Sequence, residues 1–393
     1  MNHWRSSSRI QLTPYVRAVV GKLDVLHDDH IFHSTTLGRL RYSRSNVLTQ
    51  QYSSSAKDGS VCWNTAVSVA EKVVGYPTSF MNLRFWLSDE MSNVAVNMRK
   101  LIGTKHPLMK TAKGLLFDNK ENMQTRGLVV LLIAKAAAMP ENARKFEHHS
   151  LDKEYVSLQN TEVSNLHSNG ILSTQRSLAE ITEMINTAFV LHRGVMDIDL
   201  SDKQRPFDSE TEDLLYGNKM SLLSGDYLLA KASAGLAALG NTYVVEIMAS
   251  AISDLMESRF FLDDLLSDEV VKLSLSQWEE LAYKTGACLY AKSCQSALML
   301  REHPENVTNA AFEFGKYFGL LRQIKSELDA EKGSERNQSS ILSILSTDEL
   351  KDVQNNYVEN AIDNMTVLTN VEAREALKDI VLALSSSISY EVL

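Results

Sequence analysis

Apolar residues recur at intervals of three and four along much of this chain, and little interrupts them: its 393 residues include only 6 prolines and 17 glycines. Those intervals put side chains on one face of an α-helix, and so few breakers let helices run long. Leu87, Met91, Val94, Met98 and Leu101 make one such face. Ile181, Ile185, Ala188 and His192 make another, expected to point into a central cavity. Leu128 to Met139 is apolar apart from Lys135. It falls short of the roughly 20 residues a membrane span needs, so it is expected as a buried core helix. Further helices are expected around Asp348 to Ile362 and Val371 to Ser385. The fold class is all-α, and a hydrophobic content of 44% is enough for a sizeable core.

Three stretches break the pattern. Residues 1–60 are basic and serine-containing, with Arg5, Arg9, Arg17 and Lys22 and no acid up to Leu23, and Arg39, Arg41 and Arg44 further on. That composition fits a mitochondrial transit peptide, or a plain basic tail, ahead of a folded domain from 61 to 393. A polar insertion near 140–170 contains His148 and His149, whose adjacency does not suit a helical metal pair spaced at i and i+4. Glu331 to Ser340 reads as a polar linker. The formal net charge of -9 excludes a generally basic, nucleic-acid-binding surface. Cys62, Cys288 and Cys294 lack metal or redox spacing and read as reduced core thiols. The acids in Phe260 to Asp268 imitate a metal motif; the simpler reading is an inter-helix loop or helix start, where acids favour the positive end of the dipole.

Chemistry is to be sought in three segments. Asn186 to Asp197 reads NTAFVLHRGVMD, preceded by Gln175 to Ile185 and followed by Gly217 to Ala230. Phe312 to Ala330 reads FEFGKYFGLLRQIKSELDA, and Tyr283-Lys284-Thr285 lies between. From about Cys62 onward these blocks resemble the trans-polyprenyl diphosphate synthases. In that register His192 precedes the first aspartate motif (DDxxD), Arg193 and Gly194 replace its first two aspartates, and Asp197 keeps the last. Gln323 matches the run-up to the second motif, where Ser326, Glu327 and Ala330 stand at aspartate positions. Met123 replaces a lysine of the family's second-substrate element, Arg126 survives from it, and Asn186 replaces a histidine.

The resemblance implies an isoprenoid synthase helical bundle around a central cavity. In the family, aspartates on one helix face hold magnesium, which grips an allylic diphosphate. Here the aspartates of both motifs are depleted, so the chain is expected to carry no metal and no catalytic residue of its own. Arg126, Lys284, Thr285 and Gln323 would be remnants of substrate binding; Arg193, Gly194, Asp197, Ser326 and Glu327 mark degenerate motif positions. Two readings of Arg193 stand: an intrahelical ion pair with Asp197, or direct binding of phosphate by the guanidinium. Lys284 likewise reads either as facing a diphosphate or as an ordinary helix lysine.

The pattern is similar to a branch of the family that supplies the non-catalytic subunit of a heteromeric, heterotetrameric decaprenyl or solanesyl diphosphate synthase for the ubiquinone side chain. This implies an aspartate-bearing partner subunit with Mg2+, a mitochondrial matrix location, peripheral association with the inner membrane, and no nucleic acid. Two alternatives remain: an independently active synthase with unusual ligands, and an interaction or prenyl-lipid-binding protein that contributes nothing to catalysis.

Overall fold

One helix in the middle of the chain is buried on nearly every side, and the rest of the fold is arranged around it. The computed structural model describes residues 62–75, 107, 125–138, 170–198, 209–267, 273–331 and 340–392, all within the unit Asp58–Leu393. The Leu87–Leu101 face, Met123, His148 and His149, most of the polar insertion, most of the 331–340 linker and residues 1–60 lie outside the described residues. Every regular element described is helical: α1 Trp63–Val74, α2 Thr125–Ala136, α3 Ser173–Arg193, α4 Ser209–Ala238, α5 Thr242–Ser267 and α6 Leu275–Ala282. A π-helical segment, Tyr283–Ala287, leads into α7 Cys288–Met299, followed by α8 Glu305–Glu331, the short α9 Ile341–Ile344, α10 Thr347–Asn364 and α11 Val371–Val392.

The central helix is α2, in which Gly127 to Ala134 are all buried. A helix apolar all round has no solvent face and belongs inside a bundle. α1, α3, α7 and α11 accordingly pack against it. Lys135 is its one charged residue after the first turn, and its ammonium donates to the Val73 carbonyl of α1. The C-terminal end of α2 is held by Asn370 N–H, which donates to the Ala136 carbonyl at 2.8 Å.

Gln175 and Thr182, buried polar residues of α3, are matched rather than stranded, as burial requires. Gln175 accepts from Leu172 N–H at 2.9 Å and donates to the Ala297 carbonyl of α7 at 2.7 Å. The Thr182 hydroxyl sits 2.8 Å from the Leu178 carbonyl and 3.0 Å from Ser293 Oγ. α7 and α8 approach closely at Gly315 and Gly319, one helical turn apart. A Cβ on Gly315 would lie 2.6 Å from the Tyr290 carbonyl oxygen, and one on Gly319 would lie 2.4 Å from Ala287 Cα. Phe318 closes this seam, edge-on to Tyr290 and stacked on Phe314.

Reciprocal capping boxes start α6, at Ser274 and Gln277, and α10, at Ser346 and Glu349. α10 and α11 occupy the spans expected from their periodicity. Cys288 and Cys294 are buried free thiols; burial pushes Cys288 up to about 12 and raises Cys294 further. Cys62 corrects the expectation of three core thiols, because it is exposed at the start of α1. Among the described residues no helix is long and apolar enough to cross a membrane.

Candidate functional site

A cavity of about 270 Å³ opens between α2, α3, the π-helical segment and α8. Arg126 reaches it from α2, and Asn186, Phe189, Val190 and Arg193 from α3. Thr285, Gly286 and Tyr290 line it from the π-helical segment and α7; Gly319, Arg322, Gln323, Lys325, Ser326 and Asp329 line it from α8. The structure therefore brings together Arg126, Thr285, Gln323, Arg193 and Ser326 out of the positions singled out in the sequence.

Others go elsewhere. Ile181, Ile185 and Ala188 pack in the core, and the cavity takes the neighbouring stripe of α3, at 186, 189, 190 and 193. Spacing could not distinguish the two stripes because α3 is enclosed on most of its circumference. His192 turns to α4, with Nε2 3.3 Å from Asp226 Oδ1 and 3.4 Å from the Leu222 carbonyl. Gly225 leaves room for that ring, since a Cβ there would lie 2.2 Å from Nε2.

The pairing of Arg193 with Asp197 across one helical turn is not formed. α3 ends at Arg193, Gly194 is its C-cap, and Val195 to Ile198 are irregular, so Asp197 leaves the helix face and is exposed. Glycine favours such a stop because it loses the most backbone freedom inside a helix. Asn218 of α4 then holds the exit strand in place, accepting from Met196 N–H and donating to its carbonyl, both at 2.8 Å. The Arg193 guanidinium lies 5.6 Å from the Phe189 ring centroid. Burial, and then the like charge of Arg259, hold it below the usual guanidinium value.

Lys284 does not line the cavity. It pairs with Glu257 at 3.1 Å and Glu280 at 3.5 Å and lies over the Phe261 ring. The wider π turn instead presents Thr285 and Gly286 to the cavity, a geometry frequent at functional sites.

Glu327 is also turned away from the role its register suggested. It accepts from Trp278 Nε1 at 3.1 Å, Gln323 Nε2 at 2.8 Å, Ser340 Oγ at 3.2 Å and Ile341 N–H at 2.9 Å. Those bonds tie α8 to α6 and to the start of α9. Burial raises its carboxyl, against the lowering effect of the bonds. The imitation motif is neither loop nor helix start: α5 runs unbroken through Phe260 to Ser267, where no glycine or proline stops it.

Sequence reasoning missed Glu183. It is buried on α3 and accepts from Gly127 N–H at 2.8 Å, in the first turn of α2, where unpaired donors favour an anion. Its other oxygen, and the Nε of Arg126, are buried without a hydrogen-bond partner. Arg126 also lies over the Tyr290 ring at 4.8 Å. The available signal was a single acid on a helix stripe otherwise occupied by buried residues.

Magnesium does not fit this lining. Hard divalent cations need several oxygen ligands, and among the described residues the one lining carboxylate, Asp329, is paired with Lys325 at 2.8 Å. Among the described residues the same lining carries the cations Arg126, Arg193, Arg322 and Lys325. Among the described residues no group of three or more His, Cys, Asp or Glu side chains is placed to hold a metal ion.

The helical bundle has the isoprenoid synthase fold, with a charged cavity between these helix ends. The chain belongs to the polyprenyl synthetase family, whose model matches residues 120–328. It is 44% identical to the human protein named all trans-polyprenyl-diphosphate synthase PDSS2 over 68% of this chain. That alignment spans 62% of the human protein's length. It is 32% identical to a probable mitochondrial hexaprenyl pyrophosphate synthase of Yarrowia lipolytica, over 69% of this chain and 67% of that protein. In fold it resembles the geranylgeranyl pyrophosphate synthetase of the archaeon Geoglobus acetivorans, with TM-score 0.53 and 17% identity over 81% of this chain and 98% of that one.

Proposed function

We propose that this chain is the non-catalytic subunit of a heteromeric all-trans-polyprenyl diphosphate synthase that makes the ubiquinone side chain in the mitochondrial matrix. The observation that carries this reading is the lining of the cavity. Where metal-assisted departure of a diphosphate needs clustered carboxylates, this chain presents Arg126, Arg193, Arg322 and Lys325 around Asp329. Elongation, with its Mg2+, belongs to a partner subunit that keeps its aspartates. Similarity to the human and Yarrowia proteins supports the product class and the mitochondrial setting.

Room for a partner is available on α4 and α5. Leu222 and Leu223 are 47% and 53% exposed, Tyr243 and Phe260 69% and 70%. Large exposed apolar side chains are the usual raw material of a subunit interface. A heterotetramer and peripheral contact with the inner membrane complete the proposal.

The test is to purify the chain alone, and together with an aspartate-motif partner, and supply allylic diphosphate, isopentenyl diphosphate and Mg2+. The lone chain is expected to form no elongated product and the pair to form long-chain product. Product from the lone chain would sink the non-catalytic assignment. Full-rate elongation by the partner alone would reduce this chain to an interaction protein.

A further inference from the structure

Two cations at one end of the bundle lie together with no carboxylate to offset them. Arg193 ends α3 at the rim of the cavity, where it is also exposed to solvent. Arg259 of α5 is exposed as well, and its charge is close enough to be felt at Arg193. The nearby acids are engaged elsewhere: Asp226 lies 3.3 Å from His192, and Glu257 lies 3.1 Å from Lys284. Asp197, carried off the helix face, is exposed. Among the described residues neither Arg193 nor Arg259 has a carboxylate partner. Like charges held together repel, and a carboxylate placed between two guanidinium groups would offset that repulsion with charge-assisted hydrogen bonds.

The surroundings of the pair are apolar. Phe260 follows Arg259, and Val195 stands two residues beyond Arg193. Leu222, with its neighbour Leu223, is joined to the end of α3 by its carbonyl, 3.4 Å from His192 Nε2. All four side chains are exposed. Single apolar residues on a surface need no explanation, but a group of them around unpaired guanidinium groups has the composition of an interface core. Arginine and aromatic side chains carry much of the binding energy at such contacts. A small anion would answer the charge and leave Phe260, Leu222 and Leu223 in water, whereas an acidic segment of a second protein answers both.

We propose that the partner subunit places a carboxylate between Arg193 and Arg259, with Phe260, Leu222 and Leu223 packed around that contact, so that the second subunit completes the rim of this chain's cavity. The inference rests on the heteromeric subunit assignment. It adds which end of α4 and α5 is covered, and by what chemistry.

The full chain and an aspartate-motif partner are purified separately, and their association is measured by calorimetry. Arg259→Ala is expected to weaken it about thirtyfold or more, the effect of removing one side of a desolvated interfacial charge pair, and Arg259→Glu to weaken it further. Phe260→Ser should weaken it about tenfold or more, as loss of an aromatic anchor does. Both residues are exposed, so each variant should keep the far-ultraviolet circular dichroism of the parent. Arg259→Lys keeps the charge and introduces an amine. In the assembled complex a carbodiimide should join that amine to an Asp or Glu of the partner, and mass spectrometry locates the amide. Association unchanged by Arg259→Glu, or a carbodiimide product that joins position 259 only to acids of this chain, would overturn the proposal and leave the subunit assignment standing. So would an Arg259→Glu chain that loses affinity for inorganic phosphate but associates as the parent does. A parent chain that does not associate at all overturns both, which separates failure of the assignment from failure of this contact.

Discussion

Glu183→Ala is expected to destabilise the folded protein by about 3–5 kcal/mol, the range for removing one member of a buried charged pair. Three losses combine. The first turn of α2 loses the acceptor for Gly127 N–H, Arg126 and Arg322 lose the carboxylate that offsets their charge, and a void opens in a packed interior. Glu183→Gln keeps an oxygen for Gly127 and is expected to cost much less.

The parent and Glu183→Gln also separate through pH. Burial raises the Glu183 carboxyl from 4.5 to about 7, opposed in decreasing order by Arg126, the backbone N–H groups of Gly127 and Arg126, and Arg322. Because the folded value lies above the unfolded one, the folded state binds more protons across that window. Stability should therefore fall as pH rises from about 4.5 to about 7. At 1.36 kcal/mol per pH unit, Glu183 contributes about 3 kcal/mol to that fall. Glu180 and Glu327 are raised by burial as well and add in the same direction. The readout is therefore the difference between parent and Glu183→Gln in denaturant unfolding at pH 5 and 7.5. A parallel pH dependence in the two would remove Glu183 as the titrating group.

Gly319→Val should be nearly as damaging, costing about 3 kcal/mol at the upper end of overpacking effects. The atoms in the way are fixed by the backbone where the π-helical segment meets α7: an added Cβ lies 2.4 Å from Ala287 Cα and 2.6 Å from its Cβ. No rotamer change relieves such a contact, so α7 and α8 must separate and the Tyr290–Phe318 pair with them. Gly286 supplies the control. A Cβ there first meets Arg126 at 3.8 Å, so Gly286→Ala should be tolerated. Thermal unfolding of the two variants checks the contrast, and equal melting temperatures would deny the close approach of α7 and α8.

What could be read from the sequence was what depends on local pattern. An all-apolar run marked α2 as central because no exposed environment accepts it, and the C-terminal helices followed from spacing. The frame of the cavity was legible too, since Arg126, Thr285 and Gln323 line it as the family blocks imply. Side-chain direction was not. Lys284 and Thr285 are adjacent, yet the π turn sends only Thr285 to the cavity, and a one-residue change of helical phase leaves no trace in composition. The partners of Glu327 were not legible for a related reason: Trp278, Ser340 and Ile341 are 49, 13 and 14 residues away. Nothing in the local pattern marks Arg322 and Lys325, which α8 brings into the same cavity lining as Arg126 and Arg193. Asp329, beside the second-motif positions, is a carboxylate of the cavity lining.

The most direct measurement places the chemistry on one subunit or the other. In a complex of this chain with the proposed aspartate-motif partner, that partner's first-motif aspartates are replaced by alanine while this chain is left intact, and elongation is assayed with Mg2+. Product should disappear although the complex still assembles, because the remaining cavity is lined by Arg126, Arg193, Arg322 and Lys325 and cannot gather magnesium. Sustained elongation in that complex would mean that this chain catalyses the reaction itself.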